Sequence, residues 1–191
     1  MRLEDDCYLC VSDTITPNSM WDGHKGKNAD ITKLLVVGHF ADSRVVEYGN
    51  WIEPFSKSMT GIYFKDFLSK AGLDYEDMNF VNAFRCLTTK ITAQPQFTQL
   101  KQCMDNYLTD IIEKFDPKII VTWGQPVYKA FQKMTGINGT GDLEKDKGIL
   151  FSYNGSTVFS MYHPSYAIRW DPERDRLAEH FSEVFKSSNN N

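Results

Sequence analysis

Basic residues are in short supply: 21 lysines and arginines stand against 25 aspartates and glutamates, a net charge of −4. A uniformly basic, phosphate-coating surface is thereby excluded, and any phosphate contact has to come from local clustering. Two stretches offer it. No acidic residue falls between Asp77 and Asp105, where Arg85, Lys90 and Lys101 lie, and none falls between Asp146 and Asp171, where Lys147, His163 and Arg169 lie. Long hydrophobic runs are missing too. None approaches the roughly 20 apolar residues of a membrane-spanning helix, and residues 1–6 lack the apolar core of a secretory leader. The expectation is an intracellular chain, cytoplasmic or nucleoid-associated, with no membrane partner. Cysteine is scarce as well, with only four. In a reducing compartment so few thiols point to metal binding or catalysis before disulfides.

What is present suits one core. At 191 residues and 41% hydrophobic content, the chain fits a single domain over residues 1–186 with a disordered polar tail at 187–191. Residues 12–30, rich in Asn, Asp, Gly, Thr and Lys, read as irregular loop. Leu34-Leu35-Val36-Val37 reads as a buried strand ended by Gly38, followed by a long loop from His39 to Ser58. Met59, Ile62, Tyr63, Phe67, Leu68 and Ala71 keep helical spacing up to Gly72. The apolar run from Met78 leads into a strand over residues 80–82.

The strongest amphipathic pattern runs from Phe97 to Phe115 and stops at Asp116-Pro117. Ile119-Ile120-Val121 predicts another strand. Gln125-Pro126 opens a helix closed by Gly136, and residues 135–146 read as a mobile loop. Asn154-Gly155 marks a hairpin over residues 151–162, and a last helix carries Leu177, Phe181, Val184 and Phe185. Strands alternating with helices predict an α/β fold: a three-layer α/β/α sandwich around a mostly parallel four-stranded sheet.

Two sets of residues carry chemistry. Cys7-Tyr8-Leu9-Cys10 has ligand spacing, and Cys86 and Cys103 complete a possible set of four. Four thiolates hold either an iron–sulfur cluster or a tetrahedral zinc; the alternative is a CxxC turn plus two buried thiols that pack as small hydrophobes. Asn82, at the end of a strand, offers a primary amide to a crevice.

The order of motifs carries a resemblance. It comprises C-x2-C, Gly38, Pro54-Phe55, Asn82-Ala83-Phe84-Arg85-Cys86, Cys103, Pro117-Lys118-Ile119-Ile120-Val121-Thr122-Trp123-Gly124 and His163-Pro164-Ser165. Together they resemble the uracil-DNA glycosylase superfamily, and within it the family 4 enzymes that hold a 4Fe–4S cluster. The resemblance runs from Cys7 to Arg169. It implies a monomeric, monofunctional glycosylase acting on uracil, or a related altered pyrimidine, in single- or double-stranded DNA. It assigns Cys7, Cys10, Cys86 and Cys103 to the cluster, with zinc as the less favoured occupant. Gly38, Phe40, Phe55 and Asn82 would line the base pocket, Phe55 by stacking and Asn82 by pairing with the pyrimidine edge. His163 would stabilise the departing base. Pro164, Ser165, Tyr166 and Arg169 would belong to a loop that enters the duplex where the base has left.

The chain departs from that family at two places, one being the stretch after Pro54-Phe55, where Ser56-Lys57-Ser58-Met59-Thr60-Gly61 lacks some of the usual glycines. At the other, where Gly-Glu-Ala-Pro-Gly is usual, it reads Gly38-His39-Phe40-Ala41-Asp42. His39 thus replaces the glutamate expected beside the attacking water. It serves either as an alternative base, with Asp42 a second water partner, or as a neutral substitute in a protein that binds bases without turnover.

Overall fold

Residues 34–37 and 119–121, apolar without alternation, form strands covered by helices on both faces, as continuous apolar runs require. The computed structural model describes residues 15–20, 23–42, 57–88 and 94–189. Its strands are β1 (Ile15–Met20), β2 (His24–Lys25), β3 (Leu34–Asp42), β4 (Met78–Thr88), β5 (Ile119–Trp123), β6 (Leu150–Tyr153) and β7 (Ser156–Met161). Its helices are α1 (Ala29–Thr32), α2 (Met59–Lys70), α3 (Phe97–Cys103), α4 (Thr109–Phe115), α5 (Gln125–Thr135), α6 (Leu143–Asp146), α7 (Pro164–Trp170) and α8 (Arg174–Asn189). Among the described residues no helix is long and apolar enough to cross a membrane.

The sheet order is β1-β4-β3-β5-β7-β6, with β2 also paired to β4. Strands β4, β3, β5 and β7 run parallel. The sheet is nevertheless larger and more mixed than the expected four strands, because β1 and β2 add antiparallel to β4 and β6 adds antiparallel to β7. The physical reason lies in β4. Its 11 residues expose a long outer edge, and two short strands cover it. Their composition concealed them: β1 reads ITPNSM, and a proline is tolerated only on such an edge.

Helices pack on both faces. One layer sets α3, α4 and α5 against Leu35, Val37, Val81, Ile120 and Val158. The other sets α2 and α8 against Leu34, Val36, Phe80, Val121 and Phe159. The amphipathic stretch 97–115 is not one regular helix, since a wide π turn, Met104–Leu108, joins α3 to α4. The β6–β7 hairpin turns at Asn154 (φ 47°) and Gly155 (φ 84°), the left-handed pair that such a two-residue turn needs.

Three further expectations change. β3 does not stop at Gly38 but pairs onward, Gly38 with Asn82 and Phe40 with Phe84. The stretch 135–146 is tied down by α6 and by buried Asp146. α8 runs to Asn189, into the segment expected as tail.

Candidate functional site

Strands β3, β4, β5 and β7 end on the same side of the sheet, where ligands of open α/β sheets bind. Asn82 on β4 is buried, and its amide leans across its neighbour. A Cβ placed on Gly38 would lie 2.6 Å from Asn82 Oδ1 and 2.5 Å from Phe80 Cζ. Gly38 therefore gives the amide its room, by lacking a side chain.

His39 follows on β3. Its Nε2 is buried and has no hydrogen-bond partner among the described residues, and its ring meets Phe40 edge-on at 4.8 Å. Phe40 itself packs against the layer of α3, α4 and α5. The segment expected as a water-activating loop, Gly38 to Asp42, is the end of a strand. Its parallel neighbour β4 continues alongside and supplies the hydrogen bonds that hold it extended. The side chain of Asp42 lies outside the described residues, as do Phe55, Cys7 and Cys10.

His163 stands at the exit of β7 and caps α7. Its Nδ1 accepts the Ser165 backbone N–H at 3.2 Å and pairs with Ser165 Oγ at 2.7 Å. With Nδ1 accepting, the neutral ring carries its proton on Nε2 and offers it as a donor. Burial pushes His163 down to about 4, with a smaller contribution from His39. Burial likewise pushes His39 down to about 4. The two imidazoles are thus close enough to feel one another, and both are neutral near pH 7.

Trp123 and Gly124 stood in a quoted motif without a role, and the structure sets both against His163. Trp123, the last residue of β5, meets its ring edge-on at 5.6 Å. Gly124, at φ 84°, presses its backbone on the same residue, and a Cβ there would lie 3.4 Å from His163 Cβ. A glycine between a strand and a Gln-Pro helix start was the available signal. Pro164 and Ser165 open a helix where a loop was expected, because His163 caps it and proline suits its first turn. Tyr166 and Arg169 are exposed on that helix.

The helix is anchored at its far end. Asp171 follows Trp170 and is buried. Lys147 Nζ lies 3.3 Å from Asp171, 3.3 Å from Glu173 and 3.1 Å from Glu144. Burial works against the charge on Lys147, yet the hydrogen bonds it donates to those carboxylates raise its pKa above the ordinary lysine value. Glu144 also accepts from the Tyr162 hydroxyl.

The cysteines divide. Cys86 and Cys103 are both buried, and Cys103 Sγ accepts the backbone N–H of Arg85 at 3.4 Å. The fold thus brings a thiol of α3 to the β4 backbone beside Cys86. Among the described residues no group of three or more His, Cys, Asp or Glu side chains is placed to hold a metal. Arg85 lies over the Tyr107 ring at 5.7 Å and lines a separate cleft of about 430 Å³ with Lys25, Asn79 and Lys114.

Comparison with known proteins agrees with this arrangement. Residues 30–187 match the family model described as the uracil DNA glycosylase superfamily. The chain is also similar to a protein of Bacillus phage SP01 named DNA polymerase, 24% identical over 151 residues. That match covers 79% of this chain and 15% of the phage protein, so the chain spans a small part of its relative's length. The match spans both imidazoles, Asn82 and the strands that carry them: the chain belongs to the uracil DNA glycosylase superfamily.

Proposed function

We propose that this chain is a monofunctional DNA glycosylase that hydrolyses the N-glycosidic bond of uracil, or a related altered pyrimidine, and leaves an abasic site. The observation that carries the reading is His163. Its Nδ1 is engaged by Ser165, which leaves Nε2–H as the neutral ring's donor. When the C1′–N1 bond breaks, its electron pair goes to the base and spreads onto O2. A donor fixed beforehand favours that charge more in the transition state than in the ground state.

Asn82 would select the base. Its amide donates to O4 and accepts from N3–H of uracil, whereas cytosine presents the reverse pattern and leaves both groups unpaired. Phe55 would stack on the extruded base. The sugar cation is then captured by water, whose oxygen bonds to C1′. His39, neutral and with Nε2 uncommitted among the described residues, suits the acceptor of that water's proton in its Nδ1–H tautomer, with Asp42 a second partner.

The placement of Cys86 and Cys103 supports the cluster reading. Cys103 reaches the backbone beside Cys86, and β1 starts opposite Thr88, two residues beyond Cys86. Cys10 precedes Ile15 by a span of at most about 17 Å, so the knuckle is within reach. Cys7, Cys10, Cys86 and Cys103 would hold 4Fe–4S, or zinc as the less favoured occupant, a group that would tie α3 and the N-terminal segment to β4 and take no part in bond cleavage.

The test is incubation of the protein with uracil-containing oligonucleotides, followed by alkali. Strand cleavage at uracil is expected, and Asn82→Asp should shift selection towards cytosine. If Asn82→Ala excises uracil as well as wild type, the assigned pocket is wrong. A wild type that is inert, yet loses uracil-strand binding in His163→Ala, is a base-binding protein without turnover.

A further inference from the structure

Helix α7 carries two large aromatic side chains that its packing leaves in solvent. Tyr166 is 47% exposed and Trp170 69% exposed, while Pro164 and Ala167 are buried. Residues four apart share a helix face. Their rise of about 6 Å is close to twice the roughly 3.4 Å spacing of bases along a strand. Tyr162 backs Tyr166, ring centroids 4.6 Å apart, so an aromatic row leads outward from beside His163. No carboxylate lies on α7, and Arg169 stands exposed between the two rings in sequence. Exposed aromatic rings on one helix face, with a cation between them in sequence, offer a surface on which bases can stack.

We propose that Tyr166 and Trp170 form a stacking ledge for single-stranded DNA beside the base pocket, and that an unpaired strand is the preferred substrate. The proposal rests on the glycosylase reading and names its substrate form. In a duplex, base faces are covered except in the gap left by the extruded nucleotide, and that gap admits one side chain. Trp170, a full helical turn beyond Tyr166, meets no open base face there. In a single strand the flanking bases are free, and both rings can stack.

The test measures binding of one labelled uracil-containing oligonucleotide, single-stranded and as a duplex, at fixed salt by fluorescence anisotropy. Wild type should favour the single strand. Trp170→Ala should weaken single-strand binding by about 5- to 100-fold, the loss expected for one base–aromatic stack, and shrink the single-strand to duplex ratio. Trp170→Phe should restore most of it, and an unchanged melting curve in both variants checks the fold. A ratio unmoved by Trp170→Ala, a wild type that prefers duplex, or an RNA strand bound as tightly as DNA would each overturn the ledge. The same oligonucleotide with thymine for uracil separates the two readings. If the ratio shift persists there while no uracil is excised, the ledge stands and the enzyme reading falls; if uracil is excised while the ratio stays fixed, the reverse holds.

Discussion

Two buried polar groups of this molecule are treated in opposite ways. Asp146, on α6, accepts from Tyr128 Oη at 2.6 Å, from Thr140 N–H at 2.7 Å and from Thr140 Oγ at 2.7 Å. Burial raises its pKa, but the hydrogen bonds from Tyr128 and Thr140 outweigh that and hold it below the usual carboxylate range. His39 sits at a strand end with Nε2 buried and no partner among the described residues. A saturated group of the first kind fixes the fold. An unsatisfied one costs stability, and such groups are retained where a ligand or water completes them. The difference separates residues whose loss unfolds the protein from residues whose loss silences it.

The largest effect should come from the unsatisfied side. His39→Ala should lower uracil excision by roughly two to four orders of magnitude, while removing a buried orphan should leave the melting temperature equal or higher. Single-turnover rates beside thermal melts check both halves, and a melt lowered with the rate intact would erase the contrast. His39→Glu, which restores the usual family residue, should keep or raise the rate.

Next comes the saturated side. Asp146→Ala strands three donors and should cost about 3 kcal/mol, or a melting temperature lower by roughly 6–12 °C. Excision per folded molecule should hardly change. Gly38→Ala comes third and sharpens the comparison, because it belongs to both classes. Its methyl must displace Asn82 Oδ1 and the Phe80 ring, so stability should fall by about 1–3 kcal/mol and selection for uracil should weaken together with it.

The last effect is a slope. Both imidazoles are half-buried, and desolvation keeps them neutral, with pKa values pushed down to about 4 from 6.5. Between those values the unfolded chain binds more protons, so stability is complete above about pH 6.5 and falls as pH drops towards 4. Urea midpoints across that window should decline less steeply in His39→Gln, by the share of one proton. Turnover that depends on a neutral His39 should persist to lower pH than an unperturbed histidine would allow.

Much of this arrangement was legible in the chain. Leu34 to Val37 and Ile119 to Val121 announced the central strands, since only strands sheathed on both faces read as unbroken apolar runs. Asn154-Gly155 announced its turn. The edge strands did not show, because β1 and β2 are held by the backbone edge of β4 and need no apolar alternation. The π turn after Cys103 stayed hidden within a pattern that reads as helical on either side. Gly38, His39, Asn82 and His163 were legible as candidates through the order of motifs, but their proximity was not. Gly124 stood within a quoted motif but was given no role, having no side chain to suggest one, and Trp170 was passed over because it lies just past the motif that drew attention to its neighbours.

The pairings that bring the site together are all distant in sequence: Gly38 with Asn82, Val37 with Thr122, Thr122 with Ser160. The first and last close loops of roughly forty residues and the middle one a loop of roughly eighty-five, and chains built on such contacts fold slowly. His163, at the exit of β7, takes its place only once β7 has docked on β5, the last of these closures along the chain. During refolding, secondary structure should therefore return before His163 loses its ordinary titration, and that delay times the completion of the crevice.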